Sequence, residues 1–115
     1  MATTPRPLVD GTLLSTTATS IYQAAASVQA TRIIAASLTN VDAAANPKAT
    51  IYIVPSGQAV ENRYLIAKDL TVSVGETITV PGLVGHVLDP NDMIVAQADT
   101  ADLLAIRISG YEFTG

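Results

Sequence analysis

Apolar residues recur at alternate positions along this chain in short runs, and turn formers separate the runs roughly every 8–14 residues, a spacing typical of β-sandwiches and barrels. β-Branched residues dominate from Thr12 onward, so strand is the main expectation and helix a minor one. Ser20–Gln23 reads as a strand followed by a loop, although Ala24–Ala26 would also suit a turn of helix. Arg32–Thr39 places Ile34, Ala36 and Leu38 on one face and Ile33, Ala35 and Ser37 on the other, and it stops at Asn40. Val41–Lys48, with its Asn-Pro step, reads as a loop. Thr50–Val54 carries Ile51 and Ile53 on one face and Tyr52 and Val54 on the other, so both faces call for cover before Pro55-Ser56-Gly57 ends the run.

The second half has the pattern of a meander. Leu70, Val72 and Val74 alternate with Thr71 and Ser73, Gly75-Glu76 turns the chain, and Ile78 and Val80 return, which predicts a hairpin closed by a two-residue connection. Pro81-Gly82 ends it, Val84–Leu88 is a short strand candidate, and Asp89-Pro90-Asn91-Asp92 has the composition of a type I turn. Met93–Ala98 follows, Asp99–Asp102 bends, and Leu103–Phe113 closes the chain with Leu104, Ile106 and Ile108 inward, Arg107 and Ser109 outward, and Gly110 as a bulge. Residues 1–11 hold Pro5, Pro7 and Gly11 without periodicity and read as an extended arm, docked or mobile. The expectation is an all-β chain of about eight strands: an antiparallel β-sandwich, of which the jelly roll is one form, with an arm at 1–11 and one domain at 12–115.

Composition supports a single folded unit: the 115 residues are 49% hydrophobic and 14% charged. The net charge of −4 and six scattered basic residues give no footprint for nucleic acid or an anionic membrane, so neither is an expected partner. Without cysteine the chain has no disulfide, thiolate or cysteine-ligated metal. The first residues lack the apolar core of an export signal, and no apolar run approaches the ~20 residues of a spanning helix. No repeat of roughly 20–50 residues is visible, which disfavours solenoids and propellers.

Candidate chemistry is sparse. His86 is the single histidine, flanked by apolar residues, and no neighbouring nucleophile or orienting carboxylate suggests a catalytic use. No Gly-x-Ser-x-Gly elbow or glycine-rich phosphate loop occurs. Asp89, Asn91, Asp92, Asp99 and Asp102 could supply oxygens to calcium, but they lack a calcium-loop spacing, and aspartate in turns caps local N–H groups. Tyr22, Tyr52, Tyr64 and Tyr111 are the tyrosines available for a stacking platform, with packing the favoured use. The chain is therefore expected to be no enzyme and to need no cofactor.

What remains is surplus apolar surface. Tyr52 and Val54, Ile33 and Ala35, and Met93 and Val95 fall on faces opposite the assigned core, so neighbouring subunits are the expected cover. Tyr52, Val54, Met93 and Val95, with Pro5, Pro7 and Leu8 of the arm, are the candidate partner contacts. The alternative is a phase error of one residue in some strands.

The ordered segments Tyr22-Gln-Ala, Arg32-Ile-Ile-Ala-Ala-Ser-Leu-Thr-Asn40, Ala49-Thr-Ile-Tyr-Ile-Val-Pro-Ser-Gly57, Gly75-Glu-Thr-Ile78, Val87-Leu-Asp-Pro-Asn-Asp-Met-Ile94 and Ile106-Arg-Ile-Ser-Gly-Tyr-Glu112 resemble small β-rich virion proteins of tailed bacteriophages. The resemblance spans roughly residues 20–112, each motif alone being a common β-protein feature. Asp89-Pro-Asn-Asp92 departs from the Pro-Gly-Asp turn of that group. The resemblance implies a capsid decoration (cement) protein or a tail accessory, assembled in the host cytoplasm into the virion. It also implies a homo-oligomer, most often a trimer, bound to a major capsid or tail protein, with no catalytic residues. A rival reading is a carbohydrate- or receptor-binding module of a tail tip or fibre, using Asn40, Asp42, Asn46, Asp89 and Asn91. A small jelly-roll enzyme is a third, poorly equipped with one histidine and no cysteine.

Overall fold

A computed structural model describes residues 2–115; Met1, at the head of the expected arm, lies outside the described residues. The β-branched alternation forms nine strands among these residues: β1 (Ala2–Leu13), β2 (Thr19–Gln23), β3 (Ala30–Asn40), β4 (Lys48–Val54), β5 (Leu65–Thr71), β6 (Thr77–Thr79), β7 (Val87–Leu88), β8 (Met93–Ala98) and β9 (Leu104–Thr114). They make two antiparallel sheets. The first runs β1-β9-β3-β6, with β7 also pairing on β3, and the second runs β2-β8-β4-β5. The chain is an all-β sandwich, elongated at 47 × 27 × 19 Å.

The core lies between the sheets and is built of the residues that period-two alternation turns inward. Leu104, Ile106 and Ile108 of β9 are buried as expected, with Ala36 and Leu38 of β3, Ile51 of β4 and Ile94 of β8. Each of these leucine and isoleucine side chains contributes about 1.5–3 kcal/mol when fully buried.

β3 departs from the expected phase. Ile33, expected outward, is fully buried, and Ile34, expected inward, is 40% exposed. The ladder explains the change: Ile33 faces Gly110 and Ala35 faces Ser109, which leaves Ile34 unmatched as a bulge. One extra residue inverts the alternation, so Thr31 and Ile33 before the bulge and Ala36 and Leu38 after it all turn inward, from opposite phases. β1 bulges at the same level of β9, where Pro7 faces Ser109 and Val9 faces Ile108, leaving Leu8 unmatched. Gly110 lies between these irregularities. A Cβ there would fall well inside van der Waals contact of the Arg32 carbonyl oxygen and 2.9 Å from Leu8 Cδ1.

The hairpin expected at Gly75-Glu76 does not form. The tight turn is present, with Glu76 N–H on the Ser73 carbonyl at 3.0 Å, but its two arms go to different sheets: β5 pairs with β4, and β6 with β3. Leu70 and Val72 on one side and Ile78 and Val80 on the other all reach the core, approaching it from opposite layers. Alternation is equally satisfied by a hairpin and by such a corner. Local ties select the corner: Val72 N–H donates to the Pro47 carbonyl at 3.1 Å, and Val74 N–H to Asn46 Oδ1 at 3.0 Å. Val74 consequently faces solvent, 42% exposed. Likewise, of the Val84–Leu88 candidate only Val87 and Leu88 are strand, because residues 81–85 turn.

The segment expected as an arm is extended, and its partner is its own chain. Residues 2–13 form β1, laddered on β9 from Ala2/Thr114 to Leu13/Ala105.

Candidate functional site

The turn aspartates sit at opposite ends of β8. Asp92 Oδ2 accepts the Asp89 N–H and Oδ1 the Ser56 N–H, both at 2.9 Å. Asn91, in the left-handed region at φ 69°, gives its N–H to the Ala24 carbonyl at 2.9 Å. At the far end Asp99 Oδ1 accepts Lys48 N–H at 2.9 Å, and Asp102 N–H donates to the Leu14 carbonyl at 3.0 Å. Six strand residues at ~3.3 Å each separate the two turns by about 20 Å. The calcium candidates Asp89, Asn91, Asp92, Asp99 and Asp102 are therefore not one ligand set. Among the described residues no three histidine, aspartate or glutamate side chains gather for a metal.

The loop residues of the receptor-binding reading are also tied inward. Asn40 is 4% exposed, its Nδ2 donating to the Ala45 and Val72 carbonyls at 2.8 and 3.0 Å and its Oδ1 accepting Asp42 N–H at 2.8 Å. Asp42 Oδ2 accepts the N–H groups of Ala45 and Ala44 at 2.7 and 3.1 Å. Those two bonds, Ala45 first, hold its carboxyl below the ordinary value of 3.8. His86 is exposed in the turn before β7, where its backbone is used: N–H to the Leu83 carbonyl, and its carbonyl from Ile33 N–H at 3.0 Å.

A polar bridge joins the sheets at one end of the sandwich. Tyr22 of β2 donates its hydroxyl to Glu112 Oε2 of β9 at 3.3 Å, with Thr31 Oγ1 at 3.5 Å. Arg6 Nε of β1 meets Glu112 Oε1 at 2.6 Å. Burial, followed by the Glu112 charge, raises the Tyr22 pKa above 10.0 despite the opposing Thr31 bond. Alternation alone did not announce this bridge, since it joins residues 90 apart.

The expected partner contacts divide. Tyr52, Val54 and Val95 are buried, and with half-buried Met93 they form a second apolar cluster closed by Ala18, Tyr64 and Leu65. The expectation that Tyr52, Val54 and Val95 face outward for another subunit is thus corrected: they do lie opposite the main core, but the chain's own residues cover them. A single 3-10 turn, Asn62–Tyr64, brings Tyr64 and Leu65 onto that face. Pro5 and Pro7 are exposed on the outermost strand, and Leu8 is half-buried against the core.

The outer face of the first sheet is left open. Two adjoining concavities of about 470 and 500 Å3 share Ile34 and Val84. Arg32, Tyr111 and Phe113 line one and Arg107, Ser109 and Thr79 the other. Ile34 is 40% and Val84 44% exposed. Arg32 makes no ion pair among the described residues. The bulge creates this surface by expelling Ile34, the step that strict alternation missed.

Among the described residues no helix is long and apolar enough to cross a membrane. Compared with protein-family models, curated proteins and solved structures, the chain matches none.

Proposed function

We propose that this chain is a non-enzymatic structural protein of a bacteriophage virion, a capsid decoration protein that works as a homo-oligomer, with a trimer the favoured form, on the major capsid or tail protein. The observation that carries the reading is the open apolar groove around Ile34 and Val84 on the outer face of the first sheet. A protein that stabilises joints between subunits needs apolar contact area on a stiff scaffold and no chemistry. The order of motifs between Tyr22 and Glu112, which resembles small phage virion proteins, supplies the virion context. The tail-tip glycan reading draws less support, because Asn40, Asp42 and Asn46 spend their side chains on the chain's own backbone.

The test uses particles assembled with and without the gene. The purified protein should cosediment with deficient particles and raise their disassembly temperature. Ile34→Asp and Val84→Asp, both at exposed positions, should abolish that effect while leaving the fold intact. Absence of the protein from purified particles, or full stabilisation by both variants, would overturn the reading.

A further inference from the structure

β1 is held to the sandwich by its backbone far more than by its side chains. Of Ala2–Leu13 only Val9 is buried and Leu8 half-buried, and the other ten residues are exposed. Its ladder on β9 is interrupted twice, between Pro7 and Val9 and between Asp10 and Thr12. Gly11 lies in the second interruption at φ 80° with open space around it. Three residues on, Leu14 is buried and gives its N–H to the Leu104 carbonyl at 2.9 Å. The strand thus has a hinge at Gly11 and a fixed anchor at Leu14.

The prolines decide how this strand can meet another chain. Pro5 and Pro7 face Tyr111 and Ser109 in an unbroken stretch of ladder. A proline has no N–H for such a ladder, so both occupy the alternate positions whose nitrogens point away from β9. Those are the positions an added strand would use, and the free edge of β1 is closed to strand addition there. β9, by contrast, keeps β3 on its other edge but would lose its partner along the β1 edge if β1 left, and its backbone groups there would require another. The prolines also keep a detached β1 extended, which lowers the entropy lost on re-docking.

We infer that β1 is an exchangeable strand: in assemblies of this chain, residues 2–10 leave their own β9 and pair in the same register with β9 of a second copy, swinging on Gly11. Every contact is recovered in the exchanged form, so the exchange is decided by the hinge and by concentration. The nine extended residues span about 30 Å, enough to cross the 27 Å and 19 Å dimensions of the body. The inference rests on the reading that the chain assembles with copies of itself.

The test uses the absence of native cysteine. Ala2 and Thr114 face each other in the ladder, so full-length Ala2→Cys and Thr114→Cys variants are mixed in denaturant, refolded together and oxidised. Exchange predicts a disulfide-linked heterodimer in yield more than about tenfold above a control pair of Ala2→Cys with exposed Ser73→Cys. Light scattering is run in parallel on the wild type and on a variant with Gly-Gly-Ser inserted after Gly11. The longer hinge should let β1 fold back and lower the oligomer fraction. An oligomer that yields no heterodimer above control and ignores the insertion overturns the exchange while leaving self-assembly standing. A monomer at every concentration overturns both.

Discussion

Replacing Gly110 by alanine tests the account of the two facing bulges. The new Cβ would meet the Arg32 carbonyl oxygen inside van der Waals contact and Leu8 Cδ1 at 2.9 Å. Leu8 can rotate away, since it is half-buried, but the Arg32 carbonyl belongs to β3, which is laddered to Tyr111 of β9 and to Val87 of β7. Overpacking of this kind costs about 1–3 kcal/mol, and a fixed backbone atom puts the cost at the upper end. Alanine recovers about 0.4–1 kcal/mol by restricting the unfolded chain. The net loss is about 2 kcal/mol, which for a domain of this size lowers the melting temperature by roughly 8–10 °C. Urea unfolding followed by far-ultraviolet circular dichroism measures it, with Gly57→Ala as reference. Gly57 has φ 77° and nothing within 4 Å of an added Cβ, so that variant bears only the left-handed strain of about 1 kcal/mol. A Gly110→Ala protein as stable as the wild type, or more stable than Gly57→Ala, would refute the close approach of β3 and β9.

Other perturbations give distinct readouts. Asn40→Ala removes two donors from the Ala45 and Val72 carbonyls and should destabilise by about 2–4 kcal/mol in the same assay; a change under about 0.5 kcal/mol would deny Asn40 its role in the corner. Asp42 has a depressed carboxyl pKa, so its stabilising effect is present above its unfolded value and lost as pH falls through the folded value. The melting-temperature gap between wild type and Asp42→Ala should therefore be constant near neutrality and close as the pH falls below about 4. Tyr22 has a raised pKa, so its contribution is complete below 10.0 and lost as pH rises through the folded value. Ultraviolet titration should show a late-ionising tyrosine that Tyr22→Phe removes; an unchanged titration curve would count against the bridge to Glu112. Adding millimolar calcium should leave the melting temperature unmoved, and a rise of several degrees would restore a site at one of the aspartate turns.

Alternation revealed most strands because burial between two sheets imposes a period of two, and β8 and β9 follow it without interruption through their inward residues. It failed wherever one residue changed the count or where two partners suited one pattern. Ile33 and Ile34 are chemically identical, and what decides which turns inward is the pairing of Gly110 and Ser109, which lie more than seventy positions away. Leu70–Val80 reads as a hairpin because local sequence carries no record of which sheet each arm joins. The deciding groups, Asn46 and Pro47, belong to the preceding loop. The groove was illegible for the same reason as the bulge, whereas the surplus of apolar residues that motivated it could be read from composition.

That surplus has two fates, and the difference between them sets where a partner can attach. On the second sheet the outer side chains Tyr52, Val54 and Val95 are closed over by Tyr64 and Leu65 from the segment after β4, so one chain satisfies itself. On the first sheet no segment of the described chain performs that service for Ile34, Val84 and Val87, which are 40%, 44% and 55% exposed. The segment that reaches this sheet, β1, extends its edge beside β9 instead of folding across its face. An assembly built from this chain therefore has one apolar face and one exchangeable strand on the same sheet. Strand exchange would link copies through β9 while the neighbouring face remains free for a surface of different chemistry. Attachment to like chains and attachment to a scaffold would then use separate parts of one sheet, so a substitution in the groove should weaken the second without disturbing the first.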